Sequence, residues 1–116
     1  TNYFAFECKR LNALVNGKTR PLASEYVTKG MIRFIEGQYA QTQHHGGMIG
    51  YVLDGDSDHA VKLVKKNVAA KRKPLRMQDP GVLETSALRP QVPAAMESKH
   101  HLDRGLFFLH HLFLTV

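Results

Sequence analysis

The stretch Tyr3-Phe4-Ala5-Phe6-Glu7-Cys8-Lys9-Arg10 passes abruptly from aromatic and apolar to charged. Its apolar run predicts a core strand rather than an edge. Successive side chains of a strand alternate faces. Phe4, Phe6 and Cys8 then share one face, and Tyr3, Ala5, Glu7 and Lys9 the other. Cys8 is expected on the inner face as a small hydrophobe. Glu7 and Lys9 stand side by side, roughly 6.5–7 Å apart along the strand. Charges at the end of an apolar strand are costly unless paired or put to use. On an exposed face the same two residues would be a surface ion pair of little worth.

Downstream, Leu11–Pro21 carries Asn12, Asn16-Gly17, Lys18 and Pro21, which is loop and turn chemistry. Ser24 is a candidate N-cap with Glu25 in the first turn. Val27, Met31, Phe34 and Ile35 recur at helical spacing, so 24–36 reads as an amphipathic helix ended by Gly37. Lys29 and Arg33 lie four apart on another face, either a solvated face or a phosphate contact. The segment 38–47 reads as a polar loop. Its His44-His45, like His100-His101 and His110-His111, is poor evidence for a metal site, because neighbours in sequence point apart.

Met48–Leu53 is nearly continuously apolar, as expected of a strand covered on both faces. Asp54-Gly55-Asp56-Ser57-Asp58 resembles the start of a calcium loop. It fails where glycine is needed (His59) and where the closing glutamate is needed (Lys65), so Asp56 or Ser57 is read as a helix cap. The spacing predicts a second helix over 58–71 with Val61, Val64 and Val68 as its buried seam. Lys62, Lys65, Lys66, Lys71, Arg72 and Lys73 give it a basic face and exit. Cations near a helix C-terminus are favoured by the dipole; a nucleic-acid surface is the alternative, without the interleaved aromatics that stack bases. The prolines of 74–99 predict a long loop with one helical turn near 94–99. A last strand over 106–116 is apolar on both faces. The order strand, helix, strand, helix, loop, strand predicts an α/β fold with a mixed sheet flanked by helices.

The chain has 116 residues, enough for one domain over 1–116. Its net charge of +6 and pI near 9.7 favour polyanionic partners. One cysteine excludes an intrachain disulfide and any paired-cysteine metal site, and fits a reducing, cytoplasmic setting. No apolar run is long enough for a membrane span, and no signal peptide is visible. The chain opens close to a core strand and closes inside an apolar run. That predicts a fragment of a longer domain, with a strand beside 3–9 missing and an open sheet edge left behind.

Phe6-Glu7-Cys8-Lys9-Arg10-Leu11-Asn12 resembles the Glu-x-Lys half of the active-site motif of PD-(D/E)xK nucleases, the restriction-endonuclease-like superfamily. Three pieces occur in the same order in uncharacterised bacterial proteins assigned to that superfamily. They are Phe-Glu-Cys-Lys-Arg-Leu-Asn itself; Glu25-Tyr26-Val27 with Gly30-Met31-Ile32-Arg33-Phe34 and Gly37-Gln38-Tyr39; and Gly47-Met48-Ile49-Gly50-Tyr51-Val52. The resemblance implies a restriction-endonuclease-like core, incomplete at the N-terminus, and a Mg²⁺-dependent (or Mn²⁺-dependent) endonuclease acting on nucleic acid, DNA first. Glu7 would bind the metal and Lys9 would position the attacking water. Glu25, Gln38 and Tyr39 would have accessory roles. Arg10, Lys29, Arg33, Lys62, Lys65, Lys66 and Arg72 would contact the nucleic acid, and a homodimer is implied as common in the family. The family's further aspartate, on the strand before Glu-x-Lys, has no counterpart in Thr1–Phe6, and Asp54 ends a different strand. The chain alone would therefore be inactive, or a nuclease-like module that binds nucleic acid or a protein without cutting.

Overall fold

Among the described residues, β1 (Phe6–Leu11) lies at one edge of a five-stranded mixed sheet in the order β1-β4-β7-β6-β5. The structure is a computed structural model and describes residues 5–37, 44–103 and 105–116. β4 (His45–Val52) pairs parallel with β1 and with β7 (Gly105–Thr115). β6 (Ala95–Leu102) returns antiparallel to β7, and the short β5 (Glu84–Thr85) closes the far edge. Parallel neighbours need a crossover, which here is helical. A helical segment α1 spans 23–35 between β1 and β4, and α2 (Ser57–Ala70) follows β4. No helix among the described residues is long and apolar enough to cross a membrane.

Both helical segments pack on one face of the sheet. Tyr26, Val27, Met31 and Phe34 of α1 and Ala60, Val64 and Val68 of α2 share one buried cluster with Leu11, Met48, Val52, Phe107, Leu109 and Phe113. These strand residues all have the same parity in register. Close approach is possible because two positions of β4 on that face lack side chains. A Cβ at Gly46 would lie 2.7 Å from the Phe34 ring, and one at Gly50 would lie 2.7 Å from Leu11 Cδ1. α1 is not a plain α-helix: Ala23–Glu25 and Ile32–Ile35 are α-helical turns flanking a π-helical stretch, Tyr26–Met31. The helix over 24–36 is thus present in outline. Leu22, not Ser24, is its N-cap, with no side-chain cap bond.

Asp56 caps α2 as its side chain accepts from the His59 N–H at 3.1 Å. Other expectations are corrected. The presumed loop 11–21 contains a hairpin, β2 (Ala13–Val15) and β3 (Lys18–Arg20). Its turn is Asn16-Gly17, both at positive φ (52° and 75°), which suits the twist of a two-residue hairpin. The presumed helical turn at 94–99 is the start of β6, whose inward positions Ser98 and His100 are polar but buried, hiding the alternation. The loop 74–99 also carries β5, the buried Leu75 and a bridge from Met77 to His100.

The faces of β1 are reversed from expectation. Phe6 is 58% exposed and Cys8 is exposed too. Glu7, Lys9 and Leu11 have the parity of the helix-covered face. Neither β4 nor β7 has both faces covered: Leu112 and Leu114 are exposed on the open side, and Ile49 and Tyr51 are half-buried there. β1 is an edge strand among the described residues, not an interior one.

Candidate functional site

Glu7 stands opposite Met48 in register, and Lys9 opposite Gly50. Gly30 lets α1 settle here: a Cβ on it would lie 2.5 Å from Met48 Cε and 3.5 Å from Lys9 Cγ. The next turn of α1 then carries Arg33 over Glu7. Lys9 Nζ lies 3.2 Å from Glu7 Oε1, and Arg33 Nη1 lies 3.5 Å from the same oxygen. Glu7's side chain is only 12% exposed, against 24% for Lys9 and 43% for Arg33. A carboxylate withdrawn from water needs such partners, since an unpaired buried charge is costly.

Beside this group a groove of about 310 Å³ runs along β1, lined by Cys8, Lys9, Arg10, Leu22, Glu25 and Lys29. The structure therefore brings Glu7, Lys9, Arg10, Glu25, Lys29 and Arg33 to one region, with four cations against two carboxylates. The cations of α2 are not part of this groove. Lys62 and Lys65 line a separate cleft with Ser57, Asp58, Thr85 and Pro93. Arg72 belongs to the exit of α2, where its Nη1 donates to Ala69 O at 3.5 Å, and Lys66 is exposed on α2. Gln38 and Tyr39 lie outside the described residues.

Glu7 offers the hard carboxylate oxygen that Mg²⁺ takes, and Lys9 supplies a fixed cation beside it. These residues fit one half of such a site. Among the described residues, no group of three or more His, Cys, Asp or Glu could hold a metal ion. Asp54 is committed elsewhere. It accepts from Asn12 Nδ2 (3.3 Å), Thr19 Oγ1 (3.0 Å) and the Asp56 N–H (3.0 Å), tying the hairpin to the turn before α2. The Asp56 N–H foremost holds its carboxyl below the usual aspartate range.

The histidines pair across strands rather than along them. His45 Nδ1 and His110 Nε2 are 2.8 Å apart. Behind the sheet's other face runs a buried chain through Tyr26, His111, Ser98 and His100 to the Leu75 carbonyl, with contacts of 2.7, 2.8, 2.8 and 2.6 Å. Its proton order follows from the carbonyl, which only accepts. His100 Nδ1–H donates to it, so neutral His100 Nε2 accepts from Ser98, Ser98 Oγ accepts from His111 Nε2–H, and His111 Nδ1 accepts from Tyr26. Burial pushes His100 down to about 4 and His111 to about 3, and raises the Tyr26 phenol well above its usual value. The sequence reading missed this chain. Its one signal was alternate polar residues, Ser98 and His100, facing a third polar residue, His111, across a strand pair.

No family model, curated protein or solved structure matches the chain.

Proposed function

We propose that this chain engages nucleic acid along the edge of β1 and carries the Glu-x-Lys half of a metal-dependent phosphodiesterase site. One observation carries the reading: a single, mostly buried carboxylate, Glu7, is clasped by Lys9 and Arg33 at 3.2 and 3.5 Å, at the head of a cation-lined groove. In this reading Glu7 is a metal donor, and Mg²⁺ would supply charge neutralisation at the scissile phosphate. Lys9 holds the attacking water or the developing negative charge in place. Arg33, Lys29 and Arg10 hold backbone phosphates and set the register of the strand. In this reading the further aspartate of the site comes from outside the described residues. The restriction-endonuclease-like core belongs to this proposal, for which the parallel pair β1 and β4 joined by α1 is the supporting feature. A reducing cytoplasm suits the exposed, unpaired Cys8.

A second reading has its own support. The carboxylate of Glu7 is already neutralised by two cations, and no group of three or more metal donors forms around it among the described residues. A module that binds nucleic acid without cutting has this balance. The deciding experiment is cleavage of plasmid and single-stranded DNA with Mg²⁺ or Mn²⁺, by the chain alone and with any coding sequence that precedes it. Metal-dependent nicking that disappears in Lys9→Ala supports the nuclease. Salt-sensitive binding with no cleavage by either protein leaves the binding module.

A further inference from the structure

The groove along β1 is not lined by cations alone. Glu25 stands in its wall with Lys9, Arg10 and Lys29. It is half-buried, near the start of α1 and about one turn before Lys29. A carboxylate in a first turn suits the helix dipole. The dipole accounts for an acidic residue there, but not for its place among cations that suit phosphate. Among the described residues the ion pairs run to Glu7, Glu84, Glu97 and Asp103, and none runs to Glu25. The groove therefore holds an acceptor that its own cations leave unpaired.

The strand edge adds acceptors of the same kind. The Ala5 and Leu11 carbonyls accept from the Gly47 and Leu53 N–H groups at 2.9 and 3.0 Å. Along a strand the backbone groups of successive residues turn to opposite edges. Cys8 and Arg10 thus turn theirs away from β4, to the edge that is open among the described residues. Both line the groove. Their N–H groups suit phosphate oxygens. Their carbonyls, like the Glu25 carboxylate, only accept.

A nucleic-acid strand laid here displaces the water that these acceptors use. An acceptor left without a donor costs binding. A site built around a hydroxyl rejects the analogue that lacks it. Phosphate oxygens are themselves acceptors and bring no donor. Between one phosphate and the next, a DNA backbone carries no donor either, whereas an RNA backbone carries the ribose 2′-hydroxyl. Base amino groups occur in both and give no preference between them. We propose that the groove along β1 takes an RNA strand in preference to DNA, with Glu25 accepting from a ribose 2′-hydroxyl between phosphates held by Lys29 and Arg10; this rests on the nucleic-acid reading above. DNA remains a weaker ligand of the same cations.

The test measures binding of fluorescein-labelled hexauridylate and hexadeoxyuridylate to the whole chain in EDTA, so that neither is cut. RNA should bind roughly 10- to 100-fold more tightly. Hexauridylate with 2′-fluoro sugars, which keep the RNA pucker without the donor, should bind like DNA. Glu25→Ala should bring the RNA and DNA affinities together. Lys29→Ala, a phosphate contact, should weaken both by the same factor. The fluoro substitution lies in the ligand, so it decides the point even where Glu25→Ala fails to fold. Equal affinities, or tighter binding of DNA, would overturn the hydroxyl site and leave the groove reading intact. So would an RNA preference that survives either the fluoro substitution or Glu25→Ala. Absence of any binding by the folded protein would overturn both.

Discussion

The Tyr26 hydroxyl donates to His111 Nδ1 at 2.7 Å, and both residues are buried. This bond ties α1 to the centre of the sheet and fixes the direction of every hydrogen bond behind it. Tyr26→Phe keeps the ring, which packs 5.7 Å from Phe113, and removes only the donor. His111 Nδ1 is then left without its hydrogen, at a cost of about 1–3 kcal/mol. The expected outcome is a Tm lower by about 4–8 °C per kcal/mol lost. An unchanged melting curve would show that the chain is not ordered as derived.

The same chain makes stability depend on pH. His100 and His111 have folded pKa values near 4 and near 3, against 6.5 unfolded. Between those values the unfolded chain binds protons that the folded one does not, so stability rises with pH. It is fully present above about pH 6.5 and is lost as pH falls toward 4, at up to about 1.4 kcal/mol per pH unit for each histidine. His110 is lowered as well, foremost by burial, and adds with the same sign. Asp54 enters only below its own ordinary pKa of 3.8. Urea midpoints measured from pH 8 to pH 5 should decline steadily below 6.5. A flat profile would contradict a neutral buried pair.

Two glycines where α1 meets the sheet, Gly46 on β4 and Gly30 on α1, separate a soft neighbour from a rigid one. A Cβ at Gly46 would meet Phe34 at 2.7 and 2.8 Å and Phe107 at 2.9 Å, ring atoms that are themselves packed at 6.0 Å centroid separation. A Cβ at Gly30 would meet the free end of Met48 at 2.5 Å. Gly46→Ala should therefore destabilise by about 1–3 kcal/mol, as overpacking does. Gly30→Ala should cost less, because Met48 can turn aside and alanine favours the helix by up to about 1 kcal/mol. Chemical denaturation of the two variants side by side decides it; the reverse ranking would show that α1 cannot give.

How far the sequence could be read follows from where burial and polarity agree. β4 and α2 were legible because Met48, Val52, Val64 and Val68 are both apolar and buried. The alternation of β1 was legible too, but not which face turned inward. Aromatic Phe6 and small Cys8 pointed one way, whereas the observed inward face carries Glu7 and Lys9, made tolerable by Arg33 from a helix 26 residues on. That partner is not visible in a local pattern. β6 was lost for a related reason. Ser98 and His100 look like loop residues until Tyr26, His111 and Leu75, all distant in sequence, satisfy them.

Glu7 gives the sharpest test of the groove, because the two readings of it predict opposite signs. As a metal donor it is needed for cleavage, so Glu7→Gln should abolish any Mg²⁺-dependent nicking. As the counter-charge of Lys9 and Arg33 it competes with phosphate for both cations. The same variant should then bind single-stranded DNA more tightly in the absence of metal. Its log–log salt dependence should steepen by about 0.7 for each cation released to a phosphate. Lys62→Ala and Lys65→Ala, in a separate cleft, should leave that change in slope intact. Fluorescence titrations with and without EDTA across a salt series would resolve it. Weaker metal-free binding by Glu7→Gln would mean that the carboxylate organises its cations for the phosphate instead of withholding them.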